Sequence, residues 1–288
     1  MLVLSVTAVP LSPRPARAIA NGADVAVGEY RFSVLLTMTG LPVATGGTRD
    51  SWCSGALIAP TWVITAGHCF RDTEGRRVSR TVAKVTTAVV GRADLNGRDG
   101  QEAEVINAVQ ADGADVALAE LSRPIAGVTP IQVSTEPPAP GDVLRLTGYG
   151  LTSDVDGSEP ATRLQTGQFT VDSVGDSLIE TSGRAPQADT SPCPHDSGGP
   201  YFTQKRDGSP LLAAVVSSGP PCPHTGPDLS ARVDNLAGWI AATMASPPGR
   251  IGETGLQLTV VGLGVAVLVT MVLVLRRRRR GALERARH

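Results

Sequence analysis

Aromatic residues are scarce in this 288-residue sequence, with four Phe, three Tyr and three Trp. Charge is scarce as well: 18% of residues are Asp, Glu, Lys or Arg, and the formal net charge is −1. An apolar share of 41% excludes a disordered chain. The low charge content excludes a coiled coil, and near-neutrality excludes a basic nucleic-acid binder over most of the length. No internal repeat is present, which argues against a solenoid. Cysteine is limited to four residues, an even number that fits an oxidising compartment and allows three pairings. The length suits one large or two modest domains.

The small net charge hides an uneven distribution. The last thirteen residues, RRRRRGALERARH, hold seven Arg and one Glu, and Arg14 and Arg17 lie near the start. Residues 19–275 therefore carry a net −9. Leu256–Leu275 (LQLTVVGLGVAVLVTMVLVL) is free of charge over 20 residues, and as a helix it spans about 30 Å, one hydrocarbon core. The Arg run that follows places its tail in the cytoplasm by the positive-inside rule. At the other end, an apolar stretch precedes the small-x-small site Ala16-Arg17-Ala18, the pattern of a signal peptide, although it lacks a basic n-region. The expected organisation is a signal peptide over 1–18, an exported body over 19–245, a stalk over 246–255, a membrane helix over 256–275 and a basic tail over 276–288. IGETG (Ile251–Gly255) before an apolar run and an Arg tail is also compatible with a cell-wall sorting signal.

Between Ile19 and Val233 the texture is short apolar runs broken by Gly, Pro, Asp and Asn, such as FSVLLTM, TVAKVTTAVVG and DVLRLTGYG. This predicts an all-β fold, a sandwich or barrel. The Pro-rich Ser134–Gly141 reads as a linker between two halves. A single helix is predicted in this part: in VDNLAGWIAATMA, Val233, Leu236, Ala237, Ile240 and Met244 share one face, with Asp234 as the N-cap.

Three segments carry chemistry together. WCSGALIAPTWVITAGHC holds His68, ADVALAEL holds Asp115, and CPHDSGGP holds Ser197 in a Gly-rich turn. A serine hydroxyl needs a base to take its proton during attack, and imidazole titrates near the working pH. A carboxylate on the other ring nitrogen fixes the tautomer and stabilises the imidazolium. His…Asp…Ser is one of the known chain orders for this geometry. Asp99 and Asp112 are neighbouring acids, and the apolar run VALAEL selects Asp115. Cys193-Pro-His195 and Cys222-Pro-His224 repeat a Cys-x-His pair that zinc could use, a reading disfavoured in an exported chain. No metal or other cofactor is expected.

With IANG (Ile19–Gly22), GYG (Gly148–Gly150), the VVSSG strand and the final helix, these segments resemble the trypsin/chymotrypsin-like serine proteases over about residues 19–245. The resemblance implies two antiparallel six-stranded β-barrels, over about 19–135 and 136–233, with a C-terminal helix over 234–245 and the site in the cleft between the barrels. It implies a catalytic triad of His68, Asp115 and Ser197 and an oxyanion hole from the N–H groups of His195 and Ser197. It further implies disulfides Cys53–Cys69 and Cys193–Cys222, a pocket involving Ser191, Ser217 and Gly219, and a new terminus at Ile19 pairing with Asp196. The second His of each Cys-x-His repeat is then expected as an exposed loop residue.

The sequence departs from the family at three places. His195 stands where glycine is normal, Ser191 where trypsin-like members carry an acid, and Ser218 where tryptophan is usual. Aligning ARV (Ala231–Val233) with the family's last strand brings Asp228 near the pocket floor. The expected activity is a monomeric, surface-anchored endopeptidase acting on protein or peptide substrates, without nucleic-acid partners. The rival is a catalytically silent protease-like binding module, against which the complete triad argues.

Overall fold

The computed structural model describes residues 18–153, 160–205 and 207–246. The expected signal peptide, the stalk beyond Ser246, the membrane helix and the Arg tail lie outside them. Among the described residues no helix is long and apolar enough to cross a membrane.

Strand β1 (Ala23–Asp24) is followed by β2 (Ser33–Pro42), β3 (Thr48–Ala59), β4 (Trp62–Thr65), β5 (Val85–Val90), β6 (Gln101–Gln110) and β7 (Ala117–Leu121). Strands β2 to β7 close an antiparallel barrel in the order β2-β3-β4-β7-β6-β5. The pattern of β6 shows how the sequence sets the faces. Ala103 and Val105 point inward and Glu102 and Glu104 outward. A register shift between Val105 and Asn107 then leaves Ile106 on the surface and returns Ala108 to the core.

The chain crosses through β8 (Gln132–Val133), which pairs in parallel with Leu211 and Leu212 of the second half. Ser134 donates to Leu212 O and Gly141 to Val171 O, so both ends of the Pro-rich stretch are tied to the second half. There β9 (Val143–Gly148), β10 (Gln165–Val174), β11 (Leu178–Ala185), β12 (Pro200–Gln204), β13 (Pro210–Ser218) and β14 (Asp228–Arg232) form the second barrel, in the order β9-β10-β11-β14-β13-β12 and back to β9. The chain then enters a short 3-10 turn (Asp234–Leu236) and α1 (Ala237–Ala245).

The first barrel is filled by aliphatic side chains such as Leu36, Leu57, Ile64 and Leu118, with alanines 56, 88, 108 and 117 between them. The second packs Leu144, Leu146, Phe169, Ile179 and Val216 around a fully buried Ile19. Few aromatics suffice because they are concentrated at decisive points. Phe32, next to β2, meets Phe202 of β12 edge-on at 5.2 Å, worth about 1 kcal/mol beyond area burial. Ser33 and Thr147 share a buried 2.8 Å hydrogen bond alongside. These contacts fix the seam in which the site lies.

The C-terminal helix forms with Leu236, Trp239, Ile240 and Met244 against the core, but its start differs from the expectation. Asp234 caps nothing. Arg232 Nε and Nη2 hold its carboxylate at 3.0 and 2.6 Å, an ion pair that competes successfully with the end of the helix.

Candidate active site

His68 stands on a 3-10 turn (Gly67–Phe70) directly after β4. The Cys53–Cys69 disulfide binds this turn to β3. Gly67 has no Cβ, and one placed there would come within 3.2 Å of Asp115 Oδ1 and 3.3 Å of Val116 N. The loop before β7 can therefore press Asp115 against the histidine. Asp115 Oδ2 lies 2.7 Å from His68 Nδ1, and Oδ1 accepts the His68 backbone N–H at 2.8 Å. Ser217 Oγ donates to the same Oδ2 at 2.7 Å. Burial pushes the Asp115 carboxyl up, but the bonds from His68 and Ser217 outweigh it and leave the group below its ordinary range.

Ser197 lies across the seam, in the turn between β11 and β12. Its carbonyl accepts the N–H of Ser54 at 2.9 Å, and Ser54 Oγ donates to His195 O at 3.1 Å. Ser197 and His68 face one pocket of about 180 Å³. The hydroxyl makes no hydrogen bond to the ring, a contact that in unliganded hydrolases often tightens only with substrate bound.

His195 holds φ at +75°, in the left-handed region that glycine normally serves. Such strain costs about 1–3 kcal/mol and persists only when its surroundings enforce it. Here the imidazole stacks on Trp52, 3.6 Å between centroids and 15° between planes, and Nδ1 bonds Trp52 O at 2.8 Å. The N–H groups of His195 and Ser197 meet no acceptor among the described residues. A non-glycine residue is thus compatible with two adjacent unspent donors beside the hydroxyl. The expectation of an exposed loop histidine fails at this position, because the ring is half-buried and occupied.

A second pocket of about 160 Å³ opens on the other side of Ser197, between Pro192–Pro194, Val216–Pro220 and Asp228. Asp228 begins β14 and is 1% exposed. Its Oδ1 lies so close under Gly219 that a Cβ there would sit 1.9 Å away. Burial raises its carboxyl to about 8. His224 contradicts the exposed-loop expectation outright: its side chain is 11% exposed, and Nε2 lies 3.2 Å from Asp228 Oδ1. Asp228 Oδ2, His224 Nδ1, Tyr201 OH, Thr181 Oγ1 and Ser230 Oγ are all buried without a hydrogen-bond partner among the described residues.

The remaining expected site residues divide. Gly219 and Ser217 line this pocket, although the Ser217 hydroxyl is turned to Asp115. Ser191 stands behind it, accepting the His224 N–H on Oγ at 3.2 Å and bridging Ala20 through its backbone. Cys193–Cys222 forms the second disulfide, so both thiolates of the zinc reading are consumed. Asp196 is fully buried and accepts the N–H groups of Gly150 at 2.8 Å and Cys193 at 2.9 Å. Burial, with a smaller contribution from the Asp228 charge, drives its carboxyl well above the ordinary range. Ile19 and Ala20 are buried, Ala20 bridging Ser191 through its backbone and Ile19 within the second barrel's core.

Sequence reasoning missed Trp52, Ser54 and His224 as site residues. The first two flank Cys53, and that adjacency was the available signal. His224 was visible only as half of a Cys-x-His repeat.

Comparison with known proteins agrees with this geometry. The Trypsin family model matches residues 19–240. The chain is 30% identical over 269 residues to human "Chymotrypsin-like elastase family member 3B", covering 82% of this chain and 93% of that protein. It is 29% identical over 264 residues to bovine "Proproteinase E", covering 81% and 97%. A third relative, the bovine "Suppressor of tumorigenicity 14 protein homolog", is 29% identical over 78% of this chain but only 28% of its own length. Two closed barrels, both disulfides and a family model spanning most of the chain agree, and the chain belongs to the trypsin family of serine proteases.

Proposed function

We propose that this chain is a serine endopeptidase that cuts peptide bonds by way of an acyl-enzyme, with Ser197 as nucleophile, His68 as general base and acid, and Asp115 as its partner. The observation that carries this reading is the His68–Asp115 pair at 2.7 Å facing Ser197, beside two N–H groups with no acceptor. Ser197 Oγ attacks the carbonyl carbon while His68 Nε2 takes its proton. Asp115 stabilises the imidazolium, and the His195 and Ser197 N–H groups receive the oxyanion, worth about 3 kcal/mol each on the transition state. Collapse expels the amine with the proton from His68, and water repeats the sequence to free the acid.

The pocket ending at Asp228 takes the side chain before the scissile bond. The buried Asp228 carboxyl, whose Oδ2 meets no donor among the described residues, suits the head of a Lys or Arg. Activation follows from a terminus at Ile19 whose ammonium pairs with Asp196. Residues 256–275 anchor the enzyme at the cell surface with the protease outside, a reading supported by the uncharged 20-residue run and the Arg tail.

The test is covalent labelling by a fluorophosphonate, run beside peptide hydrolysis. The unaltered protein should label and hydrolyse. Ser197→Ala should lose both and keep its melting temperature, because a small half-exposed hydroxyl contributes little packing. Undiminished turnover in Ser197→Ala would sink the mechanism, and absence of labelling in the parent would favour a silent binding module.

A further inference from the structure

Ser197 stands between two pockets, and only one of them contains His68. His68 hands its proton to the departing amine, so the pocket on its side receives the residues that follow the scissile bond. This step rests on the protease reading above. That pocket is walled by the stacked Trp52 and His195, floored in part by Met38 and Leu41, and flanked by Arg49 and Arg71.

Both guanidiniums are exposed, and neither has an ion-pair partner among the described residues. The carboxylates next to them in sequence are engaged elsewhere. Asp50 accepts the Gly40 N–H at 2.8 Å. Asp72 is closed around Arg76 and the turn behind it, and Glu74 also pairs with Arg76. Arg49 is close enough for its charge to disfavour a proton on the His195 ring. The loop leading away from His68, residues 71–84, holds Arg71, Arg76, Arg77, Arg80 and Lys84 against Asp72 and Glu74, a net +3. Residues 19–275 as a whole carry −9, so this rim of the cleft opposes the sign of its own protein.

We propose that Arg49 and Arg71 select substrates with Asp or Glu in the first positions after the cut. The guanidinium fork matches a carboxylate in two parallel hydrogen bonds, and an unpaired fork gives up no partner to do so. A basic leaving segment meets the same field as repulsion, which makes the discrimination two-sided. Because both arginines are exposed, the effect weakens with salt.

The test uses the full-length chain and three peptides that differ only in the two residues after the scissile bond: Glu-Asp, Ala-Ala and Lys-Lys. The first reading is kcat/KM for each peptide. The second is fluorescence anisotropy of the same peptides on the Ser197→Ala protein, which reports binding without cutting. At low salt the Glu-Asp peptide should exceed the Lys-Lys peptide by about tenfold in both, shrinking toward equality near 0.5 M salt. Arg49→Glu with Arg71→Glu should invert the order, and Arg49→Gln with Arg71→Gln should flatten it. These are ratios within one preparation, so a partly unfolded variant cannot mimic them. Hydrolysis of all three peptides at one rate would overturn this inference and leave the protease reading standing. Ordered binding without hydrolysis or fluorophosphonate labelling would overturn the protease reading, and with it the assignment to positions after a cut, and leave only an acidic-peptide preference of this pocket.

Discussion

Asp228 is a carboxyl whose Oδ1 lies on His224 and whose Oδ2 meets no donor, with Tyr201 and Asp196 as the other titratable groups whose interactions reach it. Burial raises it to about 8, so at neutral pH it is mostly protonated and offers a Lys or Arg head little charge. Hydrolysis of a Lys substrate relative to the matched Leu substrate should therefore rise several-fold between about pH 7 and about pH 9. Taking the ratio cancels any pH dependence that the two substrates share. Asp228→Asn should flatten the curve, and a flat ratio in the parent protein would refute the assignment. The shift also has a sign in stability. The folded group keeps its proton up to about pH 8, whereas the unfolded one loses it near 3.8. Its contribution is complete below about pH 4 and is lost as pH rises toward 8. Urea melts should show Asp228→Asn gaining on the parent between about pH 5 and about pH 8.5.

At the scale of elements, the turn bearing His68 owes its position to β3. The Cys53–Cys69 bond spans 16 residues, a loop size for which removal costs about 3 kcal/mol in the chain-entropy account. Cys53→Ser with Cys69→Ser should lower the unfolding free energy by about that much and depress kcat more than KM. The bond fixes the base, and the Asp228 pocket is built on other strands. Equal losses in both constants would mean that β3 serves substrate binding instead. This contrast also explains what the sequence disclosed. TAGHC and DSGGP are local runs whose meaning survives without coordinates, and the alternation in β6 is a period-two signal. The partners that complete the site are not local. Trp52 stacks on a ring 143 positions away, and Ser217 reaches Asp115 across 102. Barrel closure sets those meetings, and no window of sequence contains them. His224 and Asp234 were misread for the same reason, since a polar side chain beside a Pro or a helix start gives no sign of the buried acid or the arginine that claims it.

At the scale of the whole molecule, the segments that carry Gly150 and Ser197 are tied together at Asp196. This carboxyl is fully buried, takes two backbone N–H groups, and has no cationic partner among the described residues. Burial accordingly pushes it well above its ordinary range. An ammonium delivered to it would reverse that balance and tie the Ser197 turn to the body. The segment placed to deliver one is already seated: Ile19 is fully buried in the second barrel's core, and Ala20 exchanges backbone bonds with Ser191. In a chain that continues through Ala18, the Ile19 nitrogen is an amide and cannot carry the charge. A chain beginning at Ile19 should therefore react with fluorophosphonate about 100-fold or more faster than one beginning at Ala18, since a buried ion pair missing one partner costs about 3–5 kcal/mol. The Ile19 form should also lose its advantage when Asp196→Asn removes the acceptor of that charge. Cleavage after the small-x-small run Ala16-Arg17-Ala18, expected from the sequence, would create that terminus. Export itself would then release the activating amine, with no separate zymogen step. N-terminal sequencing of the active protein decides the matter, and any first residue other than Ile19 in fully active material would refute it.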